Sequence, residues 1–91
     1  MSKLHYTILV KGKVQGVFYR ASARQKAESL NLTGFAQNLR DGNVLIEAEG
    51  DESALKEFVN WCWKGPANAE VKNVEVTEKE CTGYLSFSVK R

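Results

Sequence analysis

The residues best suited to chemistry are gathered in the stretch Gly12-Lys13-Val14-Gln15-Gly16-Val17-Phe18-Tyr19-Arg20. A glycine-containing connection that leads from an apolar run into a helix exposes backbone N–H groups beside a helix N-terminus, and such a place holds anions. Gly16 lets the chain turn and lets a ligand oxygen approach the backbone closely. Arg20 at the exit can grip a phosphate through two parallel guanidinium bonds. The stretch is not a Walker A motif, because its second glycine is not followed by Lys and Ser or Thr, and it is not a dinucleotide fingerprint. On residue types alone, a strand-to-helix connection with a solvated arginine is the simpler account.

Other chemistries lack their residues. His5 is the only histidine; it lies away from this stretch and reads as a strand-surface residue. Ser22, Ser29 and Cys62 therefore have no evident base to activate them. Cys62 and Cys81 stand 19 apart with no C-x-x-C, so neither a redox motif nor a zinc knuckle is present, and reduced thiols rather than a disulfide are expected. A metal chaperone would need paired cysteines after the first strand. No metal-ligand cluster is written in the chain, and no metal or other cofactor is expected.

Thirteen basic and eleven acidic residues leave a formal charge of +2, interleaved rather than massed, which points to neither nucleic acid nor a membrane surface as partner. Lys11, Lys13, Arg20, Arg24 and Lys26 do make one region locally positive, as solvated charge or as a mild field for an anion. No apolar run can span a bilayer, and the N-terminus lacks a signal peptide's apolar region and cleavage site, so a cytoplasmic location is expected. At 91 residues, 43% hydrophobic and 26% charged, the chain reads as one ordered domain, 1–91.

The elements that must position the Gly12–Arg20 stretch follow from periodicity. Residues 5–11 alternate Tyr6, Ile8 and Val10 and form a strand that Gly12 ends. Ala23, Ala27 and Leu30 recur at helical spacing over residues 20–31. Residues 33–39 and 44–49 are strands around Asp41-Gly42, a two-residue hairpin signal; Val44, Ile46 and Ala48 share one face and Leu45, Glu47 and Glu49 the other. Asp51 is an N-cap for a helix carrying Leu55, Phe58, Val59 and Cys62 on one stripe, stopped by an αL glycine and a proline at Gly65-Pro66. Trp61 and Trp63 flank Cys62, so at least one is partly exposed, packed at the helix rim. Val74 and Val76 mark a further strand, and Leu85, Phe87 and Val89 alternate in a last one after a turn near Thr82-Gly83. The order β-α-β-β-α-β, its final strand open to being broken in two, is the α+β, ferredoxin-like split βαβ sandwich: two helices on one face of a mainly antiparallel sheet. Asn38 would point inward from the second strand, where an amide needs a partner: a hairpin hydrogen bond or a bound water.

Gly12-x-Val14-Gln15-Gly16-Val17-x-x-Arg20 resembles the first signature of the acylphosphatase family. The second signature is matched by Gly34-Phe35-x-x-Asn38-x-x-Asp41-Gly42-x-Val44, with the 18-residue spacing from Arg20 to Asn38 in agreement. The similarity runs over essentially the whole chain, including Gly50, Gly65-Pro66, Phe87 and Val89. It implies a metal-independent hydrolase that cleaves the carboxyl–phosphate bond of acyl phosphates to a carboxylate and inorganic phosphate. Carried over by position, the backbone of Gln15, Gly16, Val17, Phe18, Tyr19 and Arg20 cradles the phosphate, the Arg20 side chain clamps it, and Asn38 holds the attacking water. Tyr19 departs from the family's usual Phe, and its hydroxyl is expected to alter the pocket wall rather than the reaction. Inorganic phosphate or sulfate should compete with substrate, and a monomer is expected. Asp41 in its turn is expected to bond the local backbone rather than to act as a base.

The alternative is a phosphate- or metabolite-binding regulatory module of the same fold without turnover. An RNA-binding module would place stacking aromatics on the central strands, and Val44–Gly50 carries none. Such a domain can also serve inside a larger carbamoyl-transfer protein; the chain's ending with the domain reads as a free-standing enzyme.

Overall fold

Apolar alternation decides which way the strands face. In the computed structural model, which describes residues 3–90, Ile8 and Val10 of β1 (Lys3–Lys13) are fully buried on one side. They pair across the sheet with Ile46 and Val44 of β3 (Val44–Asp51), so the apolar face of each strand lands on that of its neighbour. Ala36 of β2 (Thr33–Asn38) extends the same face opposite Ile46. On this face lie α1 (Tyr19–Ser29), through Tyr19, Ala23 and Ala27, and α2 (Glu52–Lys64), through Leu55, Phe58 and Cys62. The two alanines of α1 leave no bulk between helix and sheet. Trp61 packs between Phe58 and Tyr19, whereas Trp63 is exposed.

The sheet order is β4-β1-β3-β2-β5, with β4 at Glu70–Lys79 and β5 at Phe87–Lys90. Among the described residues only the β2–β5 pair is parallel. The ferredoxin-like α+β expectation holds, and the last strand is indeed broken: β4 borders β1 at one edge, and the chain then crosses to the far edge to form β5. Leu85 belongs to that crossing and is exposed, so it does not share the Phe87–Val89 alternation.

Some local expectations are corrected. Gly12 does not end β1; the strand continues to Lys13 through a bulge between Lys11 and Gly12. At φ 131° Gly12 passes so near β4 that a Cβ would collide with the Glu70 carbonyl, which is why a glycine is needed there. The hairpin at Asp41-Gly42 is wider than two residues: Leu39 N–H donates to Asn43 O at 2.9 Å and Gly42 N–H to Leu39 O at 3.2 Å, with Gly42 alone at positive φ. Asp51 sits at the N-cap of α2 as expected, although its side chain makes no capping bond. Gly65 ends that helix at φ 66° and ψ −174°, a positive φ with an extended ψ rather than αL. Cys62 is buried and Cys81 exposed, and both thiols are free.

A further correction concerns His5, which is buried, not on a strand surface. It lies on the sheet face away from the helices, and the crossing chain of residues 80–86 covers it. Its Nδ1 is 2.8 Å from Glu49 Oε2 and its Nε2 2.5 Å from Glu47 Oε1. An imidazolium can donate to both carboxylates at once, a neutral ring to only one. Glu49, fully buried, also accepts the N–H groups of Thr82 and Gly83, and the Tyr84 ring packs against His5 and Phe35. One carboxylate thus fastens the crossing to the sheet. Burial pushes the Glu49 pKa up, but the Thr82 and Gly83 N–H groups and the His5 ring outweigh it and hold the carboxyl below its ordinary 4.5.

A group depressed in this way stabilises the fold above its unfolded pKa and loses that contribution as pH falls through the folded value. Denaturant titration should show stability declining below pH 4.5, and Glu49→Gln should flatten that decline while costing about 2 kcal/mol at neutral pH. Parallel pH profiles in the two proteins would contradict the role given to Glu49.

Candidate active site

Between β1 and α1, residues 14–18 form the loop on which the site is built. Val14 is buried and anchors its entry. Gly16 has φ 74° and Phe18 φ 62°, while Val17 between them is not at positive φ. Alternation of φ sign turns successive N–H groups toward one side, the geometry of an anion-binding nest. The first helical bond of α1 runs from Ser22 N–H to Phe18 O at 3.0 Å, so the N–H groups of Tyr19, Arg20 and Ala21 precede the ladder. Phe18 occupies the N-cap position and makes no side-chain cap, and the first turn has no acidic residue. The positive end of the helix is thus left for a ligand.

Facing this loop is Asn38, the last residue of β2. Its Oδ1 is buried and has no hydrogen-bond partner among the described residues. An amide oxygen so placed suits a donor brought in from outside, water included. A cavity of about 270 Å³ joins the two sides, with Gly16, Arg20 and Asn38 as its polar wall and Val14, Phe18, Ala21 and Val89 as its apolar one. Arg20 is steadied by β5: one guanidinium nitrogen donates to the Lys90 carbonyl at 2.5 Å. That bond engages one of five N–H donors.

Gly16, Phe18, Tyr19, Arg20 and Asn38 therefore meet in one cavity. Val17 packs against the core instead. The Gln15 side chain turns to the β2–β3 hairpin, its Nε2 donating to Leu39 O at 2.7 Å and to Asn43 O at 2.8 Å. This brace sets the distance between loop and Asn38, and sequence reasoning missed it, as it missed the Arg20–Lys90 contact. Carbonyl acceptors carry no residue-type signal, so neither bond was there to be read.

The description "Acylphosphatase" belongs to the family model that matches residues 6–89. The chain belongs to the acylphosphatase family. It is 46% identical to a curated acylphosphatase of Methylococcus capsulatus, covering 100% of this chain and 98% of the relative. The fold superposes at TM-score 0.94 on an acylphosphatase of Coxiella burnetii, 41% identical, covering 97% of this chain and 93% of that one. It also superposes at TM-score 0.94 on an acylphosphatase of Bacillus subtilis, 38% identical, covering 97% and 99%. Membership of this family makes the activity hydrolytic, on acyl phosphates, and does not favour a binding-only module.

Tyr19 borders the cavity, but its hydroxyl points elsewhere. Its ring is buried against Trp61, with centroids 5.3 Å apart, and its hydroxyl donates to the Cys62 carbonyl at 2.8 Å. The hydroxyl satisfies one of the last carbonyls of α2, which have no partner within their own helix. Burial raises the Tyr19 pKa far above its ordinary value and pushes the Cys62 thiol up to about 12, so neither is ionised at neutral pH.

Tyr19→Phe should therefore lower stability by about 1–2 kcal/mol through the unpaired carbonyl, measured by urea denaturation, while kcat and KM stay near the wild-type values. A large change in kcat would mean that the hydroxyl does reach the reacting groups.

Proposed function

We propose that the backbone of residues 15–20 and the Arg20 guanidinium hold the phosphoryl group of an acyl phosphate while Asn38 positions the attacking water. The observation that carries this reading is the shared cavity, with the uncapped start of α1 and Arg20 on one side and the unpartnered buried Asn38 Oδ1 on the other. Water attacks phosphorus as the phosphorus–oxygen bond to the acyl group breaks. The electron pair leaves on the carboxylate and the water's protons pass to solvent and phosphate. Phosphoryl transfer asks the protein mainly for positioning and charge stabilisation. The loop N–H groups and Arg20 supply the charge, fixed in place before the reaction. A carboxylate is a weak base and leaves without a general acid, which suits a site with no histidine in it.

Asp41 is engaged elsewhere: its Oδ1 accepts Asn43 N–H at 3.0 Å and its Oδ2 the Asn43 amide at 3.2 Å. That supports its role as a turn residue and not as a base. The wider reading is of residues 1–91 acting as a single monomeric domain in the cytoplasm, using no metal ion and open to competition by inorganic phosphate or sulfate.

Hydrolysis of an aryl acyl phosphate should persist in the presence of chelator. Asn38→Ala should lower kcat about 100-fold or more yet keep inhibition by phosphate, because the amide acts on the nucleophile and not on the bound anion. Arg20→Ala should weaken both, and Asp41→Asn should keep most activity. An Asn38→Ala protein near full speed, or activity abolished by chelator and restored by a divalent ion, would overturn the mechanism.

A further inference from the structure

Gln15 joins the two walls of the cavity without lining it. Its backbone belongs to the loop that faces Asn38, while its half-buried side chain reaches across to the β2–β3 hairpin. Both acceptors there are carbonyl oxygens, so only the NH2 end of the amide can face them. Its two bonds fall on Leu39 and Asn43. The hairpin needs a tie at this point. Asn38 pairs with Val44 of β3, but the parallel pairing with β5 stops one residue earlier, at Gln37 with Lys90. A strand ladder therefore holds Asn38 on one side alone. Leu39 follows it directly, with its N–H given to the Asn43 carbonyl at 2.9 Å and its own carbonyl taken by Gln15.

We infer that Gln15 is a positioning residue for the reaction: its side chain fixes the Asn38 amide relative to the phosphate cradle, and so sets the line along which water reaches phosphorus. This rests on the site reading above, in which the loop holds the phosphoryl group and Asn38 the water. One residue then carries a cradle N–H on its main chain and the tie to the nucleophile's holder on its side chain. Attack needs the reacting atoms within about 3–3.5 Å and aligned, so a shift of the hairpin by about an ångström is felt in kcat. Anion binding has supports of its own. Val14 is buried at the loop's entry, and Arg20 is bonded to the Lys90 carbonyl. Loss of the Gln15 bonds therefore acts on the water more than on the phosphate.

The test is steady-state kinetics on an aryl acyl phosphate with Gln15→Met, which keeps the side chain's length and donates nothing, alone and combined with Asn38→Ala. Gln15→Met should lower kcat about tenfold. Its inhibition by inorganic phosphate should stay within about twofold of the wild type, because the lost bonds do not touch the bound anion. In the Asn38→Ala background the same substitution should change kcat by less than about twofold, since the residue it acts through is gone. Gln15→Glu keeps the shape of the amide and offers a donor only when protonated. Its kcat should be low at neutral pH and rise toward acid, a limb absent from the wild-type profile, and this variant decides the matter if Gln15→Met does not fold. Wild-type kcat in Gln15→Met, an equal loss in the Asn38→Ala background, a loss of phosphate inhibition that matches the loss of kcat, or a wild-type pH profile in Gln15→Glu overturns the inference and leaves the site reading standing. An Asn38→Ala enzyme near full speed overturns both.

Discussion

The site depends on one row of pairing across the sheet. Val44 of β3 stands opposite Val10 of β1 on one side and opposite Asn38 of β2 on the other. That register puts the end of β1, where the loop begins, at the same end of the sheet as Asn38. A slip of one residue would turn Ile8, Val10, Val44 and Ile46 away from the helices, so burial of the core and placement of Asn38 are enforced by the same contacts. The Gln15 amide then fixes the remaining freedom, tying the loop to the hairpin through two carbonyls of separate residues. Core packing supplies the coarse position and a pair of hydrogen bonds the fine one.

What could be read from the residues follows the same division. Periodicity revealed the strands and helices because each buries one face, and the period is visible in Ile8-Val10, Val44-Ile46-Ala48 and Leu55-Phe58-Cys62. The loop and Asn38 were legible through residue types at fixed spacing. His5 was misread because the cover over it comes from residues 80–86, distant in sequence and without periodicity of their own. Glu49, on the face away from the helices, is buried by the same cover. Gly12 was misread because its conformation serves a bulge inside a strand, which looks in sequence like a strand's end. The Tyr19 hydroxyl found its partner on another helix, and a backbone carbonyl announces itself in no residue type.

The two helices are also coupled at their ends. The start of α1 lacks a cap of its own, and the end of α2 borrows one from the first residue of α1. Tyr19 therefore stabilises the helix terminus that bears the site without presenting its hydroxyl to it. Ligand binding at α1 would add the missing partners to N–H groups that the fold leaves open, so part of the binding energy completes a helix rather than merely contacting a surface.

The broken last strand has a consequence for the order in which the molecule can assemble. β1 and β3, the helices and the β2–β3 hairpin can meet before the C-terminal residues arrive. Pairing of Gly34 with Phe87 and of Arg20 with Lys90 closes loops spanning much of the chain, and contacts of such separation are costly in chain entropy and slow to form. Val89 and the carbonyl that steadies Arg20 are carried on that last segment. The chain can thus acquire most of its core while its cavity still lacks a wall, so that the cavity can be the last part of the molecule to close.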